Sequence, residues 1–164
     1  IIGGGMPVGA YAASQEIMSH IAPEGPVDQE GTLSAHPVAM AAGMAALEQL
    51  LVPGSHEELA GKTSRVVQRI QSYCDSKGYT FSIPHIGSIF WVAFSNDRIK
   101  RADQIDADSM EKVKVLHHEL RQSGVYLGPS GYEVGFVSAA HTEADLAEAA
   151  DLICAAIDVA MHGS

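Results

Sequence analysis

A chain of 164 residues with 46% hydrophobic content holds enough apolar material for a core in one large domain or two small units. Ten Lys and Arg against twenty Asp and Glu leave a formal charge of −10, which argues against nucleic acid or an anionic membrane as the main partner but permits a small basic pocket. No apolar run reaches the ~20 residues that span a bilayer, the first residues lack the pattern of a secretory leader, and Cys74 and Cys154 read as core thiols rather than a metal knuckle or redox pair. The expectation is a soluble, cytoplasmic chain.

Ile1 and Ile2 suggest the end of a buried strand, and Gly3-Gly4-Gly5 permits backbone approaches that side chains forbid. Val8 to Ala13 predicts a short strand of small residues, and Ser14 to Ile21 a brief amphipathic helix with Ile17, Met18 and Ile21 inward. Ala22 to Glu30, rich in turn formers and acids, is a loop that leads to Gly31-Thr32-Leu33-Ser34-Ala35-His36-Pro37. Pro37 suits a first helical turn and Ser34 is placed to cap it. The helix from Pro37 to Leu51 is rich in Ala and Gly, with Met40, Met44, Leu47 and Leu50, and is expected to be buried on most sides.

Pro53-Gly54 breaks this pattern, so the boundary between units is expected there, giving 1–52 and 53–164. Ser55-His56-Glu57-Glu58 has the form of a capping box. The helix it opens carries Leu59, Val66, Ile70, Tyr73 and Cys74 inward and ends at Gly78, while Lys62, Arg65, Arg69 and Lys77 are expected on a solvated face. Tyr79–Ile83 and the run from Gly87 to Ser95 predict two strands, and the polar stretch from Asn96 to Asp108 a surface loop. A helix capped at Asp108 with Val113, Leu116 and Leu120 inward stops at Gly124. Two short strands follow, Val125–Leu127 and Val134–Ser138, flanking a Gly128-Pro129-Ser130-Gly131-Tyr132-Glu133 turn. Thr142 caps a last helix whose stripe is Leu146, Ala149, Ile153, Ile157 and Ala160. From Ser55 onward this order describes an α+β unit.

Few residues have a pattern that specifies chemistry. No histidine pair has the i, i+4 spacing and acid of a helical zinc site, so no metal is expected. Ser34, Ser130 and Ser138 lack a nucleophile elbow, and the glycine run matches neither a dinucleotide fingerprint nor a phosphate-binding loop. The Gly31-Thr32 stretch reads two ways. It is either an ordinary capped helix start, or an anion site in which free amides, a hydroxyl and a bare glycine meet a phosphate. Glu133 is either an exposed loop acid, or a carboxylate held near the interior and in need of a donor or cation.

Taken together, four stretches carry a resemblance: Ile1-Ile2-Gly3-Gly4-Gly5-Met6-Pro7-Val8-Gly9-Ala10-Tyr11; Gly31-Thr32-Leu33-Ser34 with Pro37 and Ala39-Met40; Gly124-Val125-Tyr126-Leu127 with Pro129-Ser130; and Glu133 with Gly135-Phe136 and Ala140-His141-Thr142. In that order, over essentially the whole length, the chain resembles the glutamate-1-semialdehyde 2,1-aminomutases among the class III aminotransferases.

The resemblance implies an α/β enzyme of the pyridoxal 5′-phosphate (PLP) fold type I. Residues 1–52 would complete the large cofactor domain and 53–164 would form a small α+β domain. It implies a homodimer in which Gly31 and Thr32 contact the phosphate of the partner's PLP, and in which Glu133 faces cofactor and substrate. The Schiff-base lysine is expected immediately before Ile1, so the sequence is expected to be the inactive C-terminal portion of a longer chain. Ala35-His36 stands where the aminomutases have Gly-Asn, and Tyr132-Glu133-Val134 where they have Phe-Glu-Ala. The implied reaction gives 5-aminolevulinate; the alternatives are another class III ω-amino aminotransferase or a non-catalytic homologue.

Overall fold

A computed structural model describes residues 2–163, which form two compact units parting between Ser55 and His56. In the first unit, helix α1 (Gln15–Met18) begins where Ser14 accepts the Ile17 amide, but it runs for a single turn. Ile17 is 61% exposed rather than inward. Helix α2 (Pro37–Leu50) has Pro37 in its first turn as expected, yet its cap is His36, whose Nδ1 accepts the Ala39 amide at 3.4 Å, and not Ser34. Ser34 lies too far upstream, inside a turn closed by its own amide on the Gly31 carbonyl at 2.9 Å. The predicted strand at Val8–Ala13 is absent, because no neighbouring segment pairs with it.

The first unit buries α2 only along Ala39 and Gly43, where the glycine-rich opening comes close. A Cβ on Gly43 would sit 2.9 Å from the Ile2 carbonyl oxygen, and one on Gly4 (φ 57°) 2.5 Å from that of Ala42. The rest of the helix corrects the expectation of burial on most sides. Val38, Met44 and Leu47 are 58%, 63% and 41% exposed within this chain.

The second unit has helix α3 (Ser55–Lys77), strands β1 (His85–Ile86) and β2 (Ile89–Phe90), helix α4 (Ser109–Gln122), strand β3 (Gly135–Phe136) and helix α5 (Glu143–His162). The three strands form an antiparallel sheet in the order β1-β2-β3, with Ile86 opposite Ile89 and Phe90 opposite Gly135. The predicted strands are longer than those observed. Of Tyr79–Ile83 only Ser82 is laddered, through a bridge to Ala93, and Val125–Leu127 has no strand partner among the described residues. The turn of the β1–β2 hairpin places Gly87 at φ 55°, a backbone region that L side chains rarely adopt.

One core joins sheet and helices. Val66, Ile70 and Cys74 of α3 meet Leu116 and Leu120 of α4, Ile153 and Ile157 of α5, and Phe81, Ile83, Phe90 and Val137 from the sheet side. The 3.6-residue periodicity places these stripes within a position of where they lie. Leu59 is only half-buried and Thr63 takes its place, its hydroxyl donating to the Leu59 carbonyl. Ala149 is likewise half-buried, beside a fully buried Ala150.

The helix ends divide into expectations met and missed. Gly78 (φ 69°) and Gly124 (φ 84°) end α3 and α4. Thr142 and Asp145 form a reciprocal box at the start of α5. The box expected at Ser55 does not form, because Ser55 is already helical and spends its hydroxyl on the Leu50 carbonyl. Asp108 caps α4 without a side-chain bond, since its φ of −69° and ψ of −24° are already helical.

The basic face of α3 is not simply solvated. Lys62 donates to the His141 carbonyl, Arg65 pairs with Glu143 and Arg69 with Asp151, so the row points at α5 and the segment leading into it. Exposed pairs of this kind contribute at most about 1 kcal/mol each. At the other end, Asp158 accepts from both Tyr73 and Tyr79. Burial would raise its carboxyl, but the two phenols outweigh this and hold it below the usual range. No single described helix is long and apolar enough to cross a membrane.

Candidate functional site

Chemistry-bearing residues gather at two places, one in each unit. In the first unit, Gly31 to His36 form a tight turn: the Ser34 amide donates to the Gly31 carbonyl and the His36 amide to the Leu33 carbonyl. Ala35 takes φ 55°, the left-handed region that a β-carbon disfavours. With the chain so bent, the Thr32 and Leu33 amides and the Thr32 hydroxyl find no acceptor among the described residues. Gly31 and Thr32 are exposed. A side chain on Gly31 would press on the Ser34 hydroxyl, 2.9 Å from the Cβ position. The turn therefore presents unspent donors just before the start of α2, where the helix dipole also favours negative charge.

In the second unit Glu133 follows Gly128-Pro129-Ser130-Gly131-Tyr132. Its amide donates to the Ser130 carbonyl at 3.0 Å, and the Ser130 hydroxyl accepts the Tyr132 amide at 3.3 Å, a local turn of the kind Ser favours. Glu133 is exposed, and among the described residues no cation or donor meets its carboxylate. Of the two readings of this residue the structure shows the exposed loop acid: water can solvate the charge, so no buried partner is required. The carboxylate is nonetheless placed, lying directly over Gly128, where an added Cβ would come within 1.8 Å of Oε2. Glu133 also lines a cavity of about 30 Å³, room for roughly one water, together with Phe90, His117, Leu127 and Gly128.

The sequence reading singled out Gly31, Thr32 and Glu133. The structure brings Gly31 and Thr32 into one turn and puts Glu133 on a turn of the other unit. It also shows side chains that spacing did not reveal. His117 Nδ1 contacts the Leu127 carbonyl at 3.0 Å and Trp91 Nε1 donates to the Gly131 carbonyl at 2.7 Å, so both hold the segment that carries Glu133. Trp91 is the one tryptophan in the sequence, the sole signal that could have drawn attention to it. The two cysteines are buried and unpaired. Burial pushes the Cys74 thiol up to about 12 and the Cys154 thiol to about 11, which makes both poor nucleophiles.

Comparison with known proteins gives this geometry its context. An omega-transaminase from Sphaerobacter thermophilus superposes with a TM-score of 0.83 at 28% identity, covering 98% of this chain and 37% of that one. A beta-phenylalanine aminotransferase from Variovorax paradoxus gives 0.81 at 26% identity, covering 99% and 37%. A glutamate-1-semialdehyde aminomutase from Pseudomonas aeruginosa shares the fold, with a TM-score of 0.67 at 15% identity over 88% of this chain and 33% of that one. The chain thus spans about a third of the length of the solved proteins it matches. It has the class III form of PLP fold type I, and that family is PLP-dependent. Since the family Aminotransferase class-III matches residues 1–157, nearly the whole sequence, the chain belongs to the class III aminotransferases.

Proposed function

We propose that this chain is part of a PLP-dependent enzyme that moves amino groups on small-molecule substrates, and that Gly31, Thr32 and Glu133 are its contribution to the active site. The observation that carries the reading is the donor turn, whose unpaired amides and hydroxyl fit a phosphate. Gly31 leaves the approach bare and Thr32 donates. In the dimer this turn would serve the partner's cofactor. The apolar residues that α2 leaves exposed, Val38, Met40, Met44 and Leu47, support a face covered by a second subunit. Residues 1–52 would then belong to the large cofactor domain and 53–164 to the small one, in a cytoplasmic enzyme.

Bound PLP supplies an electron sink for the carbon beside the reacting nitrogen. Thr32 and the amides around it would hold its phosphate. Glu133 accepts hydrogen bonds from the substrate's amine and orients it, and its charge, met by no cation among the described residues, favours an ammonium over a carboxylate at that spot.

The finer reading is an intramolecular 2,1-amino shift on glutamate-1-semialdehyde. Its support is the Glu133 segment and the absence of any Arg after Arg121 that would seat the second carboxylate of a 2-oxo-acid. A second reading, transfer between an ω- or β-amino compound and a keto acid, draws on the 28% and 26% identities to transaminases against 15% to the aminomutase. Incubating the full-length holoenzyme with the semialdehyde and no keto acid separates the two. Formation of 5-aminolevulinate establishes the shift, whereas turnover only when amine and keto acid are both supplied establishes transfer. Material that never develops a PLP absorbance band refutes both.

A further inference from the structure

We infer that Trp91 and His117 are positioning residues for Glu133, which they aim by clamping the segment from Leu127 to Glu133 at two points. The inference rests on the reading of Glu133 as the acid that faces substrate.

The clamp comes from two different elements. Trp91, just past β2, donates its indole N–H to the Gly131 carbonyl at 2.7 Å. His117 on α4 contacts the Leu127 carbonyl through Nδ1 at 3.0 Å. A carbonyl can only accept, so Nδ1 carries the proton in this contact. Gly131 is buried against α4, where a Cβ would strike Met110 at 2.5 Å. Between the two anchors Ser130 takes the Glu133 amide on its carbonyl, so the start of the acid is tied to the anchored turn. The far end of the side chain lies over Gly128, the position next to the carbonyl His117 holds.

A six-residue turn with two glycines, Gly128 and Gly131, and an exposed end at Tyr132 and Glu133 would otherwise sample many shapes, each putting the carboxylate elsewhere. Anchoring by a strand-end indole and a helix imidazole leaves one. Neither side chain needs to reach substrate. A displacement of about 1 Å at a group that orients a reactant costs up to roughly 100-fold in rate, so two hydrogen bonds remote from the chemistry have leverage on it.

The test uses the full-length holoenzyme and its amino substrate. Trp91→Phe keeps an aromatic ring but loses the N–H, His117→Leu removes the donor, His117→Asn restores an N–H near the Nδ1 place, and Gly128→Ala displaces the carboxylate while sparing both anchors. Each is made with Glu133 and with Glu133→Gln, and kcat/KM is measured with the exchange rate of the Trp91 indole proton in the apo protein. Trp91→Phe, His117→Leu and Gly128→Ala are expected to lower kcat/KM by roughly tenfold with Glu133 present, and by less than about twofold once Glu133 is Gln. His117→Asn should recover most of the loss, and the indole proton should stay protected in Gly128→Ala. Equal losses in both backgrounds would show that the anchors merely hold the fold, which overturns the inference and leaves the reading of Glu133 standing. An unchanged kcat/KM in Glu133→Gln alone would overturn that reading and the inference with it.

Discussion

Gly135 lies against the Phe90 ring in the second unit's sheet, and replacing it with Ala gives a sharp test of how that sheet is packed. A Cβ there would lie 2.3, 2.6 and 2.8 Å from three atoms of the Phe90 ring, its partner across β2 and β3. Carbon atoms pack best at about 3.5–4.0 Å, so the ring must retreat by about 1 Å or more. Its retreat is resisted on most sides, because Phe90 is 5% exposed and belongs to the core shared with Leu116, Leu120 and Ile153. Overpacking of this sort costs about 1–3 kcal/mol, and in a unit of this size each kcal/mol lowers the thermal midpoint by roughly 4–8 °C. Differential scanning fluorimetry or circular dichroism of Gly135→Ala, Phe90→Leu and the double variant reads the effect. The smaller side chain makes room, so the double variant should be more stable than the summed single losses by at least about 0.5 kcal/mol. Strict additivity, or a Gly135→Ala protein that melts with the parent, would refute the argument that β3 is seated on that ring.

Four further outcomes rest on the same structure. Thr142→Ala should cost about 1 kcal/mol by removing the α5 cap. At the same helix start the Thr142 hydroxyl and amide hold Asp145, and the Arg65 guanidinium holds Glu143, below the usual carboxylate range. Stability from depressed carboxyls is present above their unfolded values and is lost as pH falls through the folded ones, so the midpoint should drop on acidification below about pH 4, and less steeply in Asp145→Asn. Cys74, with its thiol raised from 9.0 to about 12, should have roughly a thousandfold less thiolate than an ordinary cysteine and resist a thiol reagent at pH 8 until the protein unfolds. Ala35→Gly should leave stability unchanged or raise it by up to about 1 kcal/mol because φ is 55° there, whereas Ala41→Gly inside α2 should lower it.

The helices of the second unit were legible because a buried stripe repeats every three or four residues over α3, α4 and α5, and because Gly78, Gly124 and Thr142 punctuate them by local chemistry alone. Strands fared worse. Each observed strand is only a residue pair long, and whether Val8–Ala13 or Val125–Leu127 joins a ladder depends on a partner that alternation cannot name. Caps failed where two candidates stood close together: Ser34 had the side chain, but the turn at Ala35 handed the position to His36. The Arg65–Glu143 and Trp91–Gly131 contacts join residues 78 and 40 positions apart, and nothing in local spacing encodes them.

The two candidate sites are built by opposite devices, and both follow from how much of the surrounding unit is committed to them. At the Gly31 turn the backbone spends its bonds on closing itself, leaving neighbouring donors to solvent. Exposed donors cost little there, and a ligand with several acceptor oxygens gains all of them at once near the positive end of α2. At Glu133 the charge is equally exposed, but the chain beneath it is fastened to a strand end and to a helix. A phosphate needs donors and tolerates small shifts among them, since several bonds share the load. A single carboxylate in the proposed role of orienting a reacting amine would have no such redundancy, so its aim would come from the backbone, which Trp91 and His117 hold at Gly131 and Leu127.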